Sequence, residues 1–303
     1  MRKLDSRLVL LPMLLICGCV AAPRPVKPAP TSSEILDATT AADWQDLDPG
    51  QLIYFDLAGE RRFIVQLADS LAPAASANVR ALVRAGFFDG LTVSRVQDNF
   101  VAQWGASRDT ALPGGAEAHP VAEFDIALDA GMAVSRLTDA DGYAPATGFL
   151  DGFPVGVDFA HRRIWGLHCY GAVGVGRDNP PDAGNGTELY AVIGQAPRQL
   201  DRNITVVGRV VQGIEVLAAL TRGPPPMGFY TDAGQATVIE RARVAADVLA
   251  DERIALQRLD TRSAAFDAYV ESRRNRRDPW YLRPANHIDV CNVSVPVRVR
   301  PSS

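Results

Sequence analysis

The sequence predicts a mainly β fold, closed or nearly closed, with helices plugging its ends. Short apolar runs recur between residues 50 and 245, each bounded by turn residues. Glycine and proline, 25 and 21 of 303 residues, supply many turn formers. Only two stretches before residue 246 carry helical spacing.

The elements follow in chain order. Leu52-Ile-Tyr-Phe55 and Phe63-Ile-Val-Gln-Leu67 flank Gly59-Glu60, which predicts a hairpin. Ser76 is expected to cap a helix with Val79, Leu82 and Val83 on one face and Gly86 as its stop. Strands are predicted over 91–96, 100–104, 172–175, 189–193 and 205–211. A second helix is predicted over 214–221, ending at Arg222-Gly223, and a strand over 238–245 closes the set. Residues 246–303 differ in character. Helical spacing over 251–259 and 263–277 puts Phe266, Tyr269 and Val270 on one side of the second stretch, and 290–297 reads as extended. This predicts an α-helical and extended C-terminal appendage packed on the body.

Composition excludes several classes. With 47% hydrophobic and 22% charged residues the chain is not disordered, and 31 Lys+Arg against 35 Asp+Glu exclude a non-specific nucleic-acid binder. The N-terminus carries Arg2, Lys3 and Arg7 ahead of an apolar run over 8–16. That run is too short for a spanning helix, which needs about 20 residues, and has signal-peptide proportions. It ends in Leu15-Ile-Cys-Gly-Cys19, which resembles a bacterial lipoprotein signal. The resemblance implies removal of residues 1–18 and lipidation of Cys19 as a membrane anchor. Val20, in place of the Asp associated with inner-membrane retention, favours the periplasmic face of the outer membrane. An ordinary cleaved signal and a soluble periplasmic product is the alternative. Pro23, Pro25, Pro28 and Pro30 make 19–45 a predicted Pro-rich linker, either a stalk or a leader without further purpose.

No dinucleotide or P-loop glycine motif, GxSxG elbow or HExxH is present. The informative residues are Ala72-Pro73, Asn78, Gly86-Phe-Phe-Asp-Gly90, Arg95-Val96, Phe100, Gln103 and Gly105. Further on come Gly171-Ala-Val-Gly-Val-Gly-Arg177, Asn185-Gly-Thr-Glu-Leu-Tyr190, Leu200-Asp201, Val207-Gly-Arg-Val210 and Gly213-Ile-Glu-Val-Leu217. In order and spacing these resemble the cyclophilin-type peptidyl-prolyl isomerases. The resemblance implies an eight-stranded antiparallel barrel capped by two helices over 46–245, with an insertion at about 106–170.

It also implies a reaction. The prolyl peptide bond isomerises over a barrier of about 18–20 kcal/mol set by C–N resonance. A donor aimed at the prolyl nitrogen as it pyramidalises opposes that resonance, with no cofactor or metal in the step. Arg95 is the implied donor. Gln103 would hold the substrate backbone, and Phe100, Val101, Leu189 and Tyr190 would floor the pocket for the proline ring. Glu188 stands at a substrate-binding position, and the expected partners are proline-containing polypeptides. The sequence also departs from the family. Val93-Ser94 replaces Phe-His, Val101 a Met, Glu188 a Gln, Tyr190 a Phe, Gln199 an aromatic residue and Ile204 a His. A catalytically weak module that binds proline-containing segments of an envelope partner therefore stands as the alternative function.

Cys169 and Cys291 are the only cysteines beyond the leader. In an oxidising compartment they are candidates for a disulfide; two buried thiols, or a metal site with His168 and His287, are the alternatives. The run Arg273-Arg-Asn-Arg-Arg277 is either a solvated helix end or a contact for anionic lipid or a partner.

Overall fold

A computed structural model describes residues 29–301 apart from 108, 180, 181 and 279, so Cys19 and the predicted signal lie outside the described residues. The chain enters through α1 (Ser32–Asp37), whose first turn is closed by a capping box between Thr31 and Glu34. Strand β1 (Trp44–Asp46) follows. The predicted linker over 19–45 is thus overstated at its C-terminal end. Ile35 is buried, and β1 pairs with a strand more than 200 residues later.

The predicted hairpin is formed by β2 (Leu52–Leu57) and β3 (Arg61–Leu67), in register from Leu52↔Gln66 to Leu57↔Arg61. Helix α2 (Pro73–Arg84) buries Val79, Leu82 and Val83 in the barrel core. It starts three residues before the predicted cap. Pro73 lies in the first turn, where its missing N–H costs nothing. The Glu123 carboxylate then accepts from the Ala74 and Ala75 amides at 3.0 and 2.9 Å. A carboxylate far along the chain therefore caps the helix, and Ser76 sits buried inside it. Strands β4 (Thr92–Val96) and β5 (Val101–Gly105) complete the first half.

The insertion builds a sheet of its own. Its strands are β6 (Ile126–Ala127), β7 (Ser135–Leu137), β8 (Ala146–Leu150), β9 (Phe153–Asp158) and β10 (Arg163–Gly166), in the order β6-β10-β9-β8-β7. The chain then resumes the barrel with β11 (Ala172–Val175), β12 (Glu188–Val192), β13 (Val206–Gln212), the short α3 (Ile214–Ala218) and β14 (Thr237–Val244). The barrel closes in the order β11-β12-β5-β4-β14-β2-β3-β13, with every pairing antiparallel. Phe55 and Phe63 stack inside it at 4.8 Å, with Trp104 edge-on to both.

The appendage departs from the sequence expectation in one place. Residues 251–259, predicted helical, hold instead β15 (Leu256–Leu259), which lies between β1 and β16 (Val297–Val299) in a three-stranded sheet. Pairing to two distant segments overrides local spacing there. The second predicted helix is present as α4 (Ala264–Arg274), with Phe266, Tyr269 and Val270 buried. The tail, the insertion and the entry segment share a second core that includes Ile35, Phe149, Trp165, Leu167, Leu259, Phe266 and Val293. Cys169 and Cys291 are joined by a disulfide across it.

Candidate active site

Strand alternation decides which predicted site residues meet. Along β5, Ala102 and Trp104 belong to the barrel core, so Val101 and Gln103 face outwards. Along β12, Leu189 and Ala191 belong to the core, so Glu188 and Tyr190 face outwards beside them. Leu189, expected in the pocket floor, is corrected on this ground: it points into the barrel. Its place is taken by Leu200 and Ile204, which line the pocket with Phe100, Val101 and Tyr190.

Arg95 reaches this face through a bulge. Val93 pairs with Trp104 and Arg95 with Gln103, leaving Ser94 as the extra residue. Such a bulge re-aims the side chain that follows it. The Arg95 guanidinium lies between two rings, 5.6 Å from the Phe100 centroid and 5.0 Å from that of Phe229. Its Nε donates to the Met227 carbonyl at 2.6 Å, one terminal nitrogen to Gln103 Oε1 at 3.1 Å and the other to Gln97 Oε1. Of five guanidinium hydrogens these contacts use three, leaving one on each terminal nitrogen for a bound peptide. Gln103 then donates from Nε2 to Glu188 Oε1 at 3.3 Å. Its amide orientation is thereby set between a cation and a carboxylate.

Burial draws the Arg95 guanidinium below its ordinary pKa, and the Glu188 charge opposes this. Burial pushes the Glu188 carboxyl up; its Gln103 hydrogen bond and Arg95 pull it down, while Asp178 adds to the rise. An acid with a raised folded-state pKa binds its proton more tightly in the folded chain. The associated stability is present below the ordinary carboxylate pKa and is lost as pH rises through the raised one. Glu188→Gln is therefore expected to raise the melting temperature at pH 7, with the gain shrinking towards pH 4. A melting temperature that falls at pH 7 would reverse this account of Glu188.

The floor is fixed from below. Tyr190 is buried, and its hydroxyl lies 2.9 Å from His168 Nε2, while His168 Nδ1 lies 3.0 Å from Asp201 Oδ1. With the proton on Nδ1 facing the carboxylate, Nε2 accepts from the Tyr190 hydroxyl. Arg198 extends the chain, donating to Asp201 and, through both terminal nitrogens, to Asp141 at 3.0 Å. Burial raises the Tyr190 pKa, so the phenol stays neutral. Gly174 leaves room for this tyrosine: a Cβ there would stand 2.2 Å from the hydroxyl. His168, considered above as a metal ligand, is thus a hydrogen-bonding post under the pocket.

Met227 and Phe229, on the segment after Pro224-Pro-Pro226, also line the pocket. Phe229 forms an isolated antiparallel bridge with Arg95. Gly228, at φ +76°, allows the segment to press on strand β4, where a Cβ would meet the Gln97 backbone at 2.6 Å. Sequence reasoning missed both side chains, because a Pro- and Gly-rich stretch signals only a loop.

Comparison with known proteins decides the family. The model of the family described as cyclophilin type peptidyl-prolyl cis-trans isomerase/CLD matches residues 52–244. The chain belongs to this family. It is a cyclophilin-type peptidyl-prolyl cis-trans isomerase, and the match runs from the first to the last strand of the closed barrel. Among solved structures it is similar to cyclophilin AquaCyp293 from Hirschia baltica, with a TM-score of 0.66 and 23% identity over 86% of this chain and 95% of that one. A Cryptosporidium parvum cyclophilin type peptidyl-prolyl cis-trans isomerase, determined in the presence of the dipeptide Ala-Pro, matches with a TM-score of 0.40 and 12% identity over 64% of this chain and 98% of that one. No curated protein matches the chain.

Proposed function

We propose that the protein isomerises prolyl peptide bonds at the bacterial envelope, tethered through Cys19 and assisting the folding of exported proteins. The observation that carries the catalytic part is Arg95, set against the Phe100 and Phe229 rings at a pocket with an apolar floor and with two guanidinium hydrogens uncommitted. The proline ring would rest on Phe100, Val101, Tyr190, Leu200 and Ile204. Gln103 would contribute its remaining amide hydrogen to the substrate backbone. The Arg95 donors strengthen their contact only as the prolyl nitrogen becomes pyramidal, which is differential binding of the twisted state. A protease-coupled isomerase assay on the full chain, with Ala-Pro and Leu-Pro peptides, is the test. Peptide binding without acceleration would replace the enzyme with the binding module. That alternative draws on the three acceptors already holding Arg95.

The envelope part rests on the residues ending at Cys19 and on the disulfide, which suits an oxidising compartment. In cells fed labelled fatty acid, the wild type is expected to take up label and sediment with membranes, and Cys19→Ser to do neither. Unlabelled wild type in the soluble periplasmic fraction would leave only the ordinary signal peptide.

A further inference from the structure

The C-terminal end of α4 and the loop after it combine features that the isomerase site does not use. Trp280 is 80% exposed and Leu282 is 93% exposed. Arg276, Arg277 and Arg283, close to them in sequence, are exposed as well. The Trp280 and Tyr281 rings meet edge-on at 4.9 Å, Arg276 donates to the Tyr281 hydroxyl at 2.8 Å, and the Tyr281 amide donates to the Asp278 carbonyl at 2.9 Å. Asp278, half-buried, is the one acid between residues 276 and 283, against three arginines. Nearby Glu271 is engaged by Arg274 and Asn275.

The point where the chain enters the fold lies beside this surface. Ala29, Pro30, Ser32 and Ser33 line one groove together with Arg276 and Arg277, and Ser32 Oγ lies 2.8 Å from Ser272 Oγ on α4. Cys19 is ten residues before Ala29. Ten residues reach at most about 35 Å. A lipid on Cys19 would therefore hold this end of the molecule within that distance of the bilayer.

We propose that Trp280 and Leu282, with the exposed Arg276, Arg277 and Arg283 of the same segment, dock the protein against an anionic bilayer surface. The proposal rests on the lipid-anchor part of the proposed function. Tryptophan is suited to the headgroup level, where its ring is apolar and its N–H stays wet. Arginines at the same level pair with lipid phosphates. A second contact of this kind adds apolar and electrostatic binding to that of the lipid on Cys19. It also fixes which side of the body faces the membrane.

The test uses the mature lipidated protein, from Cys19 onwards, reconstituted into phosphatidylglycerol-rich vesicles with brominated acyl chains. Trp104 and Trp165 are buried, and Trp44 is half-buried with the Arg298 guanidinium 3.9 Å over its ring, so bromine contact reads chiefly Trp280. Emission is expected to fall at least about twofold relative to unbrominated vesicles. Trp280→Phe should abolish the difference, and Arg276→Ala with Arg277→Ala and Arg283→Ala should weaken it. Vesicle-bound protein with unquenched emission would overturn the docking surface and keep the anchor. Emission that changes with protein concentration but not with bromine would put a second copy of the chain on the patch, and would also overturn it. Native protein isolated from cells with Cys19 unmodified would overturn the anchor, and this docking with it.

Discussion

Arg95→Ala is expected to reduce isomerisation by at least about tenfold while leaving the barrel folded. Tenfold corresponds to about 1.4 kcal/mol of barrier, less than the ~2.7–4 kcal/mol that loss of one oriented transition-state donor commonly costs. The loss should fall mainly on kcat, because the donor acts on the twisted bond and the apolar floor still binds the proline. Retention of the fold follows from where the side chain lies. It stands outside the barrel, and its partners are Gln97, Gln103 and the Met227 carbonyl, none of them in the barrel core. Those partners introduce a complication, since removing the guanidinium also releases the segment carrying Met227 and Phe229. Phe229→Ala separates the two effects. It weakens one wall of the pocket and leaves the donor, so it should affect KM more than kcat. Arg95→Lys should restore little, because one ammonium cannot reproduce a fork that holds three acceptors and still presents two hydrogens. Isomerisation that survives Arg95→Ala undiminished would end this mechanism and leave the barrel standing.

The barrel was legible in the sequence because its signals are local. The short apolar runs of β2, β3, β5 and β12 are each marked off by nearby turn residues, and the turn at Gly59-Glu60 joins the first two in the predicted hairpin. Arg95, Phe100, Val101, Gln103, Glu188 and Tyr190 line one pocket on an outer face. Leu189 was misplaced although the period-2 rule was enough to settle it: neighbours on one strand cannot share a face, so placing Glu188 and Tyr190 outside puts Leu189 inside. The other misreadings have a non-local cause. The cap of α2 comes from Glu123, β15 is a strand only because residues 44–46 and 297–299 flank it, and the Phe229 wall reaches Arg95 from beyond α3. No window of ten or fifteen residues contains those partners.

The second core depends on the same kind of distant contact, and the disulfide is where it can be loosened without touching the barrel. Cys169 and Cys291 are 122 residues apart in sequence. In the chain-entropy model, closing a loop of this size stabilises the fold by close to ~5 kcal/mol, and native disulfides commonly contribute about 2–5 kcal/mol. The bond joins the end of the insertion to the tail within the core formed by Phe149, Trp165, Phe266 and Val293. Cys169→Ser with Cys291→Ser is therefore expected to lower the melting temperature by roughly 5–15 °C. Adding reductant to the wild type should produce the same shift. The barrel has a separate core around Phe55, Phe63 and Trp104, so the transition should split, with the insertion and tail opening first. Isomerase activity at 25 °C should largely persist, because Arg95, Gln103 and Tyr190 lie on the barrel strands β4, β5 and β12. The exception concerns Tyr190, which His168 holds from the residue next to Cys169. Loosening that post should raise KM for proline peptides before it lowers kcat. Calorimetry with and without reductant, alongside the isomerase assay, checks both halves. An unchanged melting temperature after full reduction would mean that packing alone holds the tail to the insertion.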